Sequence, residues 1–173
     1  MPATLDLSWI TETLAIGGSI PPTHTAALAN DHRVSAVVDL RGESSDDVRL
    51  LAKHGIEYLH LPTIDLAPLS PATLRRGLAF VTPQVSAGRR VLVHCARGIG
   101  RSAVLVLCVL VEQGHAPLDA LSLAKGRRSC VSPSPGQFQS WAAWLTAHRA
   151  EREVSWGVPS FREFATIAYR HLP

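Results

Sequence analysis

Nine consecutive residues, 94–102, carry the groups needed to attack a phosphate ester. They read His-Cys-Ala-Arg-Gly-Ile-Gly-Arg-Ser and lie between a short β-branched run and a long apolar stretch. This order predicts a strand, a glycine-rich loop and a helix, and the free N–H groups at the start of a helix bind anions. Cys95 would lie at the floor of that loop, where a thiolate is stabilised as a nucleophile.

The same residues supply donors for the phosphate oxygens. Gly98 and Gly100 let the backbone take positive φ and curl around an anion. Arg101 adds a planar guanidinium that matches two phosphate oxygens. Arg97 at the mouth either favours highly anionic substrates or is simply exposed. The predicted phosphate-binding residues are Ala96, Arg97, Gly98, Ile99, Gly100 and Arg101.

A thiolate that displaces an alkoxide also needs a general acid, which later deprotonates the attacking water. Asp65 is the candidate, because it lies 30 residues before Cys95 on a loop bracketed by prolines, and such loops often carry function. Asp39, at the end of another predicted strand, is the alternative acid. Asp46 and Asp47 are typical of a solvated helix start.

The 94–102 stretch resembles the phosphate loop of the protein tyrosine phosphatase superfamily, whose pattern is H-C-x-x-G-x-x-R-S/T. Every fixed position is filled, by His94, Cys95, Gly98, Arg101 and Ser102. The resemblance covers roughly Ile10 to Arg149 and is closest to the small dual-specificity branch, to which segments 14–17, 38–41 and 61–65 are similar. Where that branch has Pro-Asn-x-Gly-Phe, this chain reads Ser134-Pro135-Gly136-Gln137-Phe138. Whether Ser134 or Gln137 helps to place the hydrolytic water stays open.

The resemblance implies an α/β fold with a mostly parallel central sheet flanked by helices. It implies catalysis through a phosphocysteine, with Cys95 as nucleophile, Asp65 as general acid and base, and Arg101 as ligand of the phosphate and transition state. His94 would support the loop and the thiolate, Ser102 would assist breakdown of the intermediate, and Asp39 would be structural. No metal and no cofactor are expected.

Phosphotyrosine, phosphoserine and phosphothreonine in proteins are the expected substrates. A phospholipid head group, an inositol phosphate or an RNA 5′-phosphate is the alternative substrate, and an inactive phosphate-binding module is the alternative to an enzyme. Other folds with a Cys-x5-Arg loop are disfavoured, because this loop lies in mid-chain with Asp65 upstream of it.

The composition indicates one globular domain: 173 residues, 46% hydrophobic, 18% charged, with a net charge of +3 and a pI of about 9.1. Mild basicity suits anionic substrates, but basic runs with interleaved aromatics are missing, so no nucleic-acid partner is expected. The longest apolar run is too short to span a bilayer, and no secretory leader is visible. We therefore expect a cytoplasmic protein, and the oligomeric state stays open.

Hydrophobic periodicity predicts the elements. A hairpin is expected over 7–18, strands over 34–40, 56–61 and 90–94, and helices over 26–30, 46–54, 70–86, 102–113, 117–127 and 137–149. Residues 1–150 would form the catalytic domain and 151–173 a C-terminal helical extension, either docked on the domain, in a dimer contact or folding on binding. Of the remaining cysteines, Cys108 is expected in the core, and Cys130 is a candidate redox partner of Cys95.

Overall fold

A five-stranded sheet forms the centre of the computed structural model, which describes residues 4–172. The strands run in the order β1-β2-β5-β3-β4. Only the β1–β2 hairpin is antiparallel; the other pairs are parallel. This confirms the predicted mostly parallel α/β sheet. The strand bounds are β1 Leu7–Trp9, β2 Leu14–Gly17, β3 Val34–Arg41, β4 Glu57–Thr63 and β5 Arg90–His94.

Helices cover both faces of this sheet. Alternate strand residues divide between two apolar clusters: Leu92 of β5 packs with α1 and α2, whereas its neighbours Val91 and Val93 face α3 to α6. This alternation is the period of two that a strand imposes on its side chains. The helices are α1 Thr25–Asn30, α2 Val48–Lys53, α3 Pro71–Ser86, α4 Arg101–Glu112, α5 Pro117–Arg127, α6 Pro135–Glu151 and α7 Phe161–Ala168.

Helix α4 is the central helix of the larger layer. Its residues 101–111 are all buried, as the apolar run after the glycine-rich loop predicts. The helix is therefore enclosed by other elements along residues 101–111, and this fixes the position where the glycine-rich loop ends. None of the helices within residues 4–172 is both long and apolar enough to cross a membrane.

The last described segment folds back onto the domain. Helix α7 packs on α5 and α6, with Phe164 fully buried and its ring 4.7 Å from that of Phe138. Lys125 of α5 donates to the carbonyl of Ala168 at 2.7 Å. Helix α7 thus contacts α5 and α6 in this structure, while the division into a catalytic domain of residues 1–150 and an extension of residues 151–173 stays a prediction.

Candidate active site

The predicted phosphate loop joins β5 to α4, at the edge of the sheet where the parallel strands end. Cys95 follows directly on β5 and is 3% exposed. It lies in a cleft of about 320 Å³. The cleft is lined by Asp65, Leu66, Cys95, Ala96, Arg97, Ile99, Gly100, Arg101, Ser132 and Gln137.

Hydrogen bonds to the sulfur favour the thiolate form of Cys95. The Ser102 hydroxyl lies 3.3 Å from Sγ, and the Gly98 N–H donates to Sγ, also at 3.3 Å. Burial alone raises the pKa of a thiol, but these bonds, with the backbone N–H groups of Ser102 and Arg97, hold the pKa of Cys95 below its ordinary value. Cys108 lacks such donors, and burial in α4 raises its pKa well above the ordinary value, in keeping with its predicted core position.

The Arg101 guanidinium is buried, and the hydrogen bonds it makes within residues 4–172 come from its two terminal nitrogens. Its two terminal nitrogens donate to the carboxylate of Glu43 at 2.7 and 2.8 Å, and one of them also donates to the carbonyl of Thr63. Its Nε is buried and has no hydrogen-bond partner among residues 4–172. A donor without a partner in an anion-binding cleft is available for a phosphate oxygen.

Glu43 is a site residue that the sequence analysis missed. It lies two residues beyond the end of β3, and the hydrogen bonds from Arg101 lower the pKa of its carboxyl to about 2. The available signal was its place at the carboxyl end of a parallel strand, the edge where ligands bind in α/β sheets.

Asp65 reaches the same cleft from the loop between β4 and α3. Its carboxylate is 68% exposed, and Oδ1 lies 3.5 Å from Arg101 Nε. The next residue, Leu66, takes a left-handed φ of 64°, and its carbonyl accepts a hydrogen bond of 2.7 Å from Ser134. The predicted acid is thus brought to the predicted nucleophile.

His94 lies behind the loop, in a buried polar cluster. Its Nε2 is 2.6 Å from Asp46 and its Nδ1 is 3.3 Å from the Cys95 carbonyl. The interpretation of Asp46 as a solvated helix start is wrong, because its side chain is 7% exposed and bonds both His94 and Arg41. Asp47 does begin α2, as its N-cap.

Asp39, the alternative acid, belongs to the same cluster and does not line the cleft. It is fully buried and accepts three hydrogen bonds from Arg41, two from the guanidinium and one from the backbone N–H. Burial opposes its ionisation, but the bonds from Arg41 and the nearby His94 together outweigh burial and lower the pKa of Asp39. Ligand atoms of Asp39, Asp46 and His94 lie within 4.8 Å of one another. Because Arg41 already neutralises the two carboxylates, a metal ion there would have to displace it.

The departure from the dual-specificity pattern has a structural explanation at the start of α6. Ser134 is the N-cap, and its N–H donates to the side-chain oxygen of Gln137 in a capping box. The Gln137 nitrogen is buried and has no partner within residues 4–172. Because Gln137 lines the cleft, it offers a free amide donor there. Cys130, the candidate redox partner, lies near the loop, with its sulfur 4.0 Å from the Gly98 carbonyl.

Comparison with known proteins identifies the family of this chain. Residues 19–146 match the family described as dual specificity phosphatase, catalytic domain. The rat phosphatidylglycerophosphatase and protein-tyrosine phosphatase 1 is 30% identical over 139 residues, which are 75% of this chain and 71% of that protein. Mouse dual specificity protein phosphatase 2 is 38% identical over 64 residues, 36% of this chain but only 20% of that protein.

The fold comparison leads to the same class. The crystal structure of PTPMT1 in complex with PI(5)P superimposes with a TM-score of 0.76 at 26% identity, covering 82% of this chain and 96% of that one. A cysteine nucleophile in a phosphate loop defines the class, the cysteine-dependent phosphatases. Within it, the chain belongs to the dual specificity phosphatase family.

Proposed function

We propose that this phosphatase hydrolyses phosphate monoesters through a phosphocysteine on Cys95, with Asp65 as general acid and base. The observation that carries the proposal is the shared cleft. It combines a thiol of lowered pKa, the Asp65 carboxyl, and a buried Arg101 Nε that makes no hydrogen bond within residues 4–172 and lies 3.5 Å from that carboxyl. Because the nucleophile must stay reduced, we place the reaction in a reducing compartment such as the cytoplasm.

In the first step the Cys95 thiolate attacks phosphorus and the bond to the leaving oxygen breaks. The backbone N–H groups of the loop and the free edge of Arg101 hold the three remaining oxygens, whose charge grows in the transition state. Asp65 gives its proton to the leaving oxygen, which departs as an alcohol.

In the second step water attacks the phosphocysteine. The Asp65 carboxylate takes a proton from that water, and the sulfur departs as a thiolate stabilised by the Ser102 hydroxyl at 3.3 Å. The free amide of Gln137 is suited to orient the water. His94 has a supporting role, since its contacts are with the Cys95 carbonyl and Asp46.

The test of these roles is a pH profile on two leaving groups. Asp65→Asn should flatten the falling alkaline limb of kcat and slow alkyl phosphates by ~10²-fold or more, the usual contribution of general acid catalysis. It should spare aryl phosphates, which need little protonation. Cys95→Ser should abolish turnover of both while phosphate still binds. An unchanged alkaline limb in Asp65→Asn would assign the acid to another residue.

Phosphorylated proteins are the proposed substrates, and one observation favours a phospholipid head group as the second candidate. Two large apolar side chains flank Asp65 at the mouth of the cleft, Ile64 at 77% and Leu66 at 69% exposure. Exposed apolar groups beside a site contact an apolar ligand or surface. The name of the rat relative includes both a lipid phosphatase and a protein phosphatase activity.

A panel of substrates separates these candidates. We would compare kcat/KM for a phosphotyrosyl peptide, phosphatidylglycerol phosphate in vesicles and its short-chain monomer, in the wild type and in the Ile64→Ser, Leu66→Ser double variant. If the double variant loses kcat/KM only on the vesicles, a phospholipid is the substrate. If kcat/KM changes equally on all three substrates and is highest for the peptide, a phosphoprotein is the substrate.

A further inference from the structure

The phosphate loop presents its N–H groups inward because its carbonyl groups are held from outside. In a trans peptide the C=O and the following N–H point in opposite directions. Four successive carbonyls, those of residues 96–99, accept hydrogen bonds from groups outside the loop. The N–H groups of residues 97–100 therefore face the interior, as the bond from Gly98 N to Cys95 Sγ shows directly.

The two middle carbonyls are held by one side chain, that of Arg128, which lies just beyond α5. Its Nε donates to the carbonyl of Gly98 at 2.8 Å, and a terminal nitrogen donates to that of Arg97, also at 2.8 Å. The outer pair is bound by backbone N–H groups, with Ser19 on Ala96 and Ser132 on Ile99. Loss of Arg128 would therefore remove the partner of the Arg97 carbonyl and leave the buried Gly98 carbonyl with only the weak contact to the Cys130 sulfur at 4.0 Å.

Arg128 is itself fixed by the N-terminal segment. The side chain is 6% exposed, and its Nη1 lies 2.9 Å from the Asp6 carboxylate and 3.2 Å from the Ser8 hydroxyl. Asp6 and Ser8 lie before residue 19, where the family match begins. Space around the guanidinium is tight, since a Cβ on Gly98 would come within 2.7 Å of it.

We propose that Arg128, oriented by Asp6, is a positioning residue for catalysis: it fixes the two peptide planes between residues 97 and 99, so that the N–H groups of Gly98 and Ile99 point at the phosphate and the thiolate. It touches neither substrate nor sulfur. The proposal concerns the phosphate loop itself and holds for any phosphomonoester substrate. It rests on the proposed function only for the identity of Cys95 as the nucleophile.

The test measures three properties that depend on these N–H groups: turnover, inhibition by a phosphate analogue and the pH midpoint of Cys95 alkylation. Arg128→Met should lower kcat/KM on para-nitrophenyl phosphate by ~10²-fold, the usual cost of losing a fixed donor to a transition-state oxygen. It should also weaken inhibition by orthovanadate, and the pH midpoint of Cys95 alkylation by iodoacetamide should move upward. Asp6→Asn, at a half-exposed site where folding is not at risk, should shift vanadate inhibition and the alkylation midpoint in the same directions by smaller amounts.

Lys125→Met is the matched control. Lys125 is another buried cation of the same region, and it donates to two carbonyls outside the phosphate loop, those of Val131 and Ala168. The Lys125→Met variant should have lower thermal stability, with vanadate inhibition and the alkylation midpoint unchanged. The proposal is overturned if Arg128→Met loses thermal stability while vanadate inhibition and the alkylation midpoint stay unchanged. Should Arg128→Met not fold, the same result for Asp6→Asn overturns the proposal. A fall in turnover with unchanged vanadate inhibition and an unchanged alkylation midpoint also contradicts the proposal. That result would not affect the assignment of Cys95 as the nucleophile.

Discussion

At the scale of single residues, Arg101 has to satisfy two opposing demands. A buried guanidinium without a partner is costly, yet a phosphate ligand must keep donors free. The structure separates the two edges of the group: the terminal nitrogens donate to Glu43 and Thr63, whereas Nε makes no hydrogen bond within residues 4–172 and faces the exposed Asp65 carboxylate at 3.5 Å. Glu43 thereby fixes the guanidinium in the orientation that leaves Nε facing the cleft.

Glu43→Gln tests this division. Because the Glu43 side chain is 49% exposed, solvent screening reduces the value of its charge-assisted bonds to about 1 kcal/mol, so kcat/KM should fall by roughly 5-fold. Arg101 lowers the pKa of Glu43 to about 2. The carboxylate is therefore charged at every pH above that value, and its contribution is lost only as the pH falls towards 2. Between about pH 5 and 8 the ratio of variant to wild-type kcat/KM should consequently be constant.

The matched control is Glu57→Gln, which removes the surface pair between Glu57 and Arg89 and should leave kcat/KM unchanged. If the ratio of variant to wild-type kcat/KM for Glu43→Gln depends on pH, then Glu43 exchanges protons during the reaction and does not serve only to orient Arg101.

Residue types and spacing could predict the groups that meet in the cleft, Asp65, Cys95 and Arg101, because the loop pattern is local in sequence; their roles in the reaction stay predictions. They could not predict Glu43 or Asp46, which meet Arg101 and His94 across 58 and 48 residues. A carboxylate after a strand looks the same in sequence whether it is solvated, as Asp47 is, or buried against a histidine, as Asp46 is. Only the chain path through the sheet distinguishes the two.

At the scale of elements, the loop carrying Asp65 is held by the start of a helix. Ser134 caps α6 by accepting from the Gln137 N–H, and its hydroxyl donates to the Leu66 carbonyl. Leu66 has a left-handed φ, which costs about 1–2 kcal/mol for an L-residue. The cap of α6 thus restrains a strained backbone next to Asp65, the proposed general acid.

Ser134→Ala should therefore lower the stability of the protein and slow the step in which Asp65 is proposed to act as general acid. Loss of the cap costs about 1 kcal/mol, and loss of the bond to Leu66 should slow alkyl phosphates by ~2- to 10-fold, the value of a neutral hydrogen bond. Ser160→Ala is the control, because Ser160 forms the equivalent capping box at α7. Thermal melts should show similar losses for both variants. Equal kinetics in the two would show that the cap of α6 does not restrain Asp65.

Periodicity could predict most elements, and the helix predicted over 117–127 coincides with α5. The differences have local causes. Helix α6 begins at Pro135, not at 137, because Ser134 caps it and proline is favoured in the first turn. Strand β4 continues through Pro62 to Thr63, because β4 is an edge strand, where a missing N–H is tolerated.

At the scale of the molecule, an aromatic cluster joins the last helix to the catalytic layer. Phe164 of α7 contacts the rings of Phe138 and Trp141 in α6, and the Tyr169 hydroxyl donates to the carbonyl of Pro133 at 2.8 Å. Pro133 directly precedes the cap of α6. The cluster therefore connects residues 161–169 to the element that restrains the loop of Asp65.

Phe164→Ala tests whether residues 151–172 unfold together with the rest of the domain. Removing a fully buried phenylalanine costs about 3–5 kcal/mol, which lowers the Tm of a domain of this size by roughly 10 °C. If α7 belongs to one cooperative unit, calorimetry should show a single transition shifted as a whole. Phe161→Ala provides the control, because Phe161 packs on the rings of Phe138 and Phe164 in the same cluster but is 41% exposed, so its loss should shift the Tm much less. A separate low-temperature transition in Phe164→Ala, with the main Tm and the turnover at 20 °C unchanged, would instead show that the segment is an independent attachment.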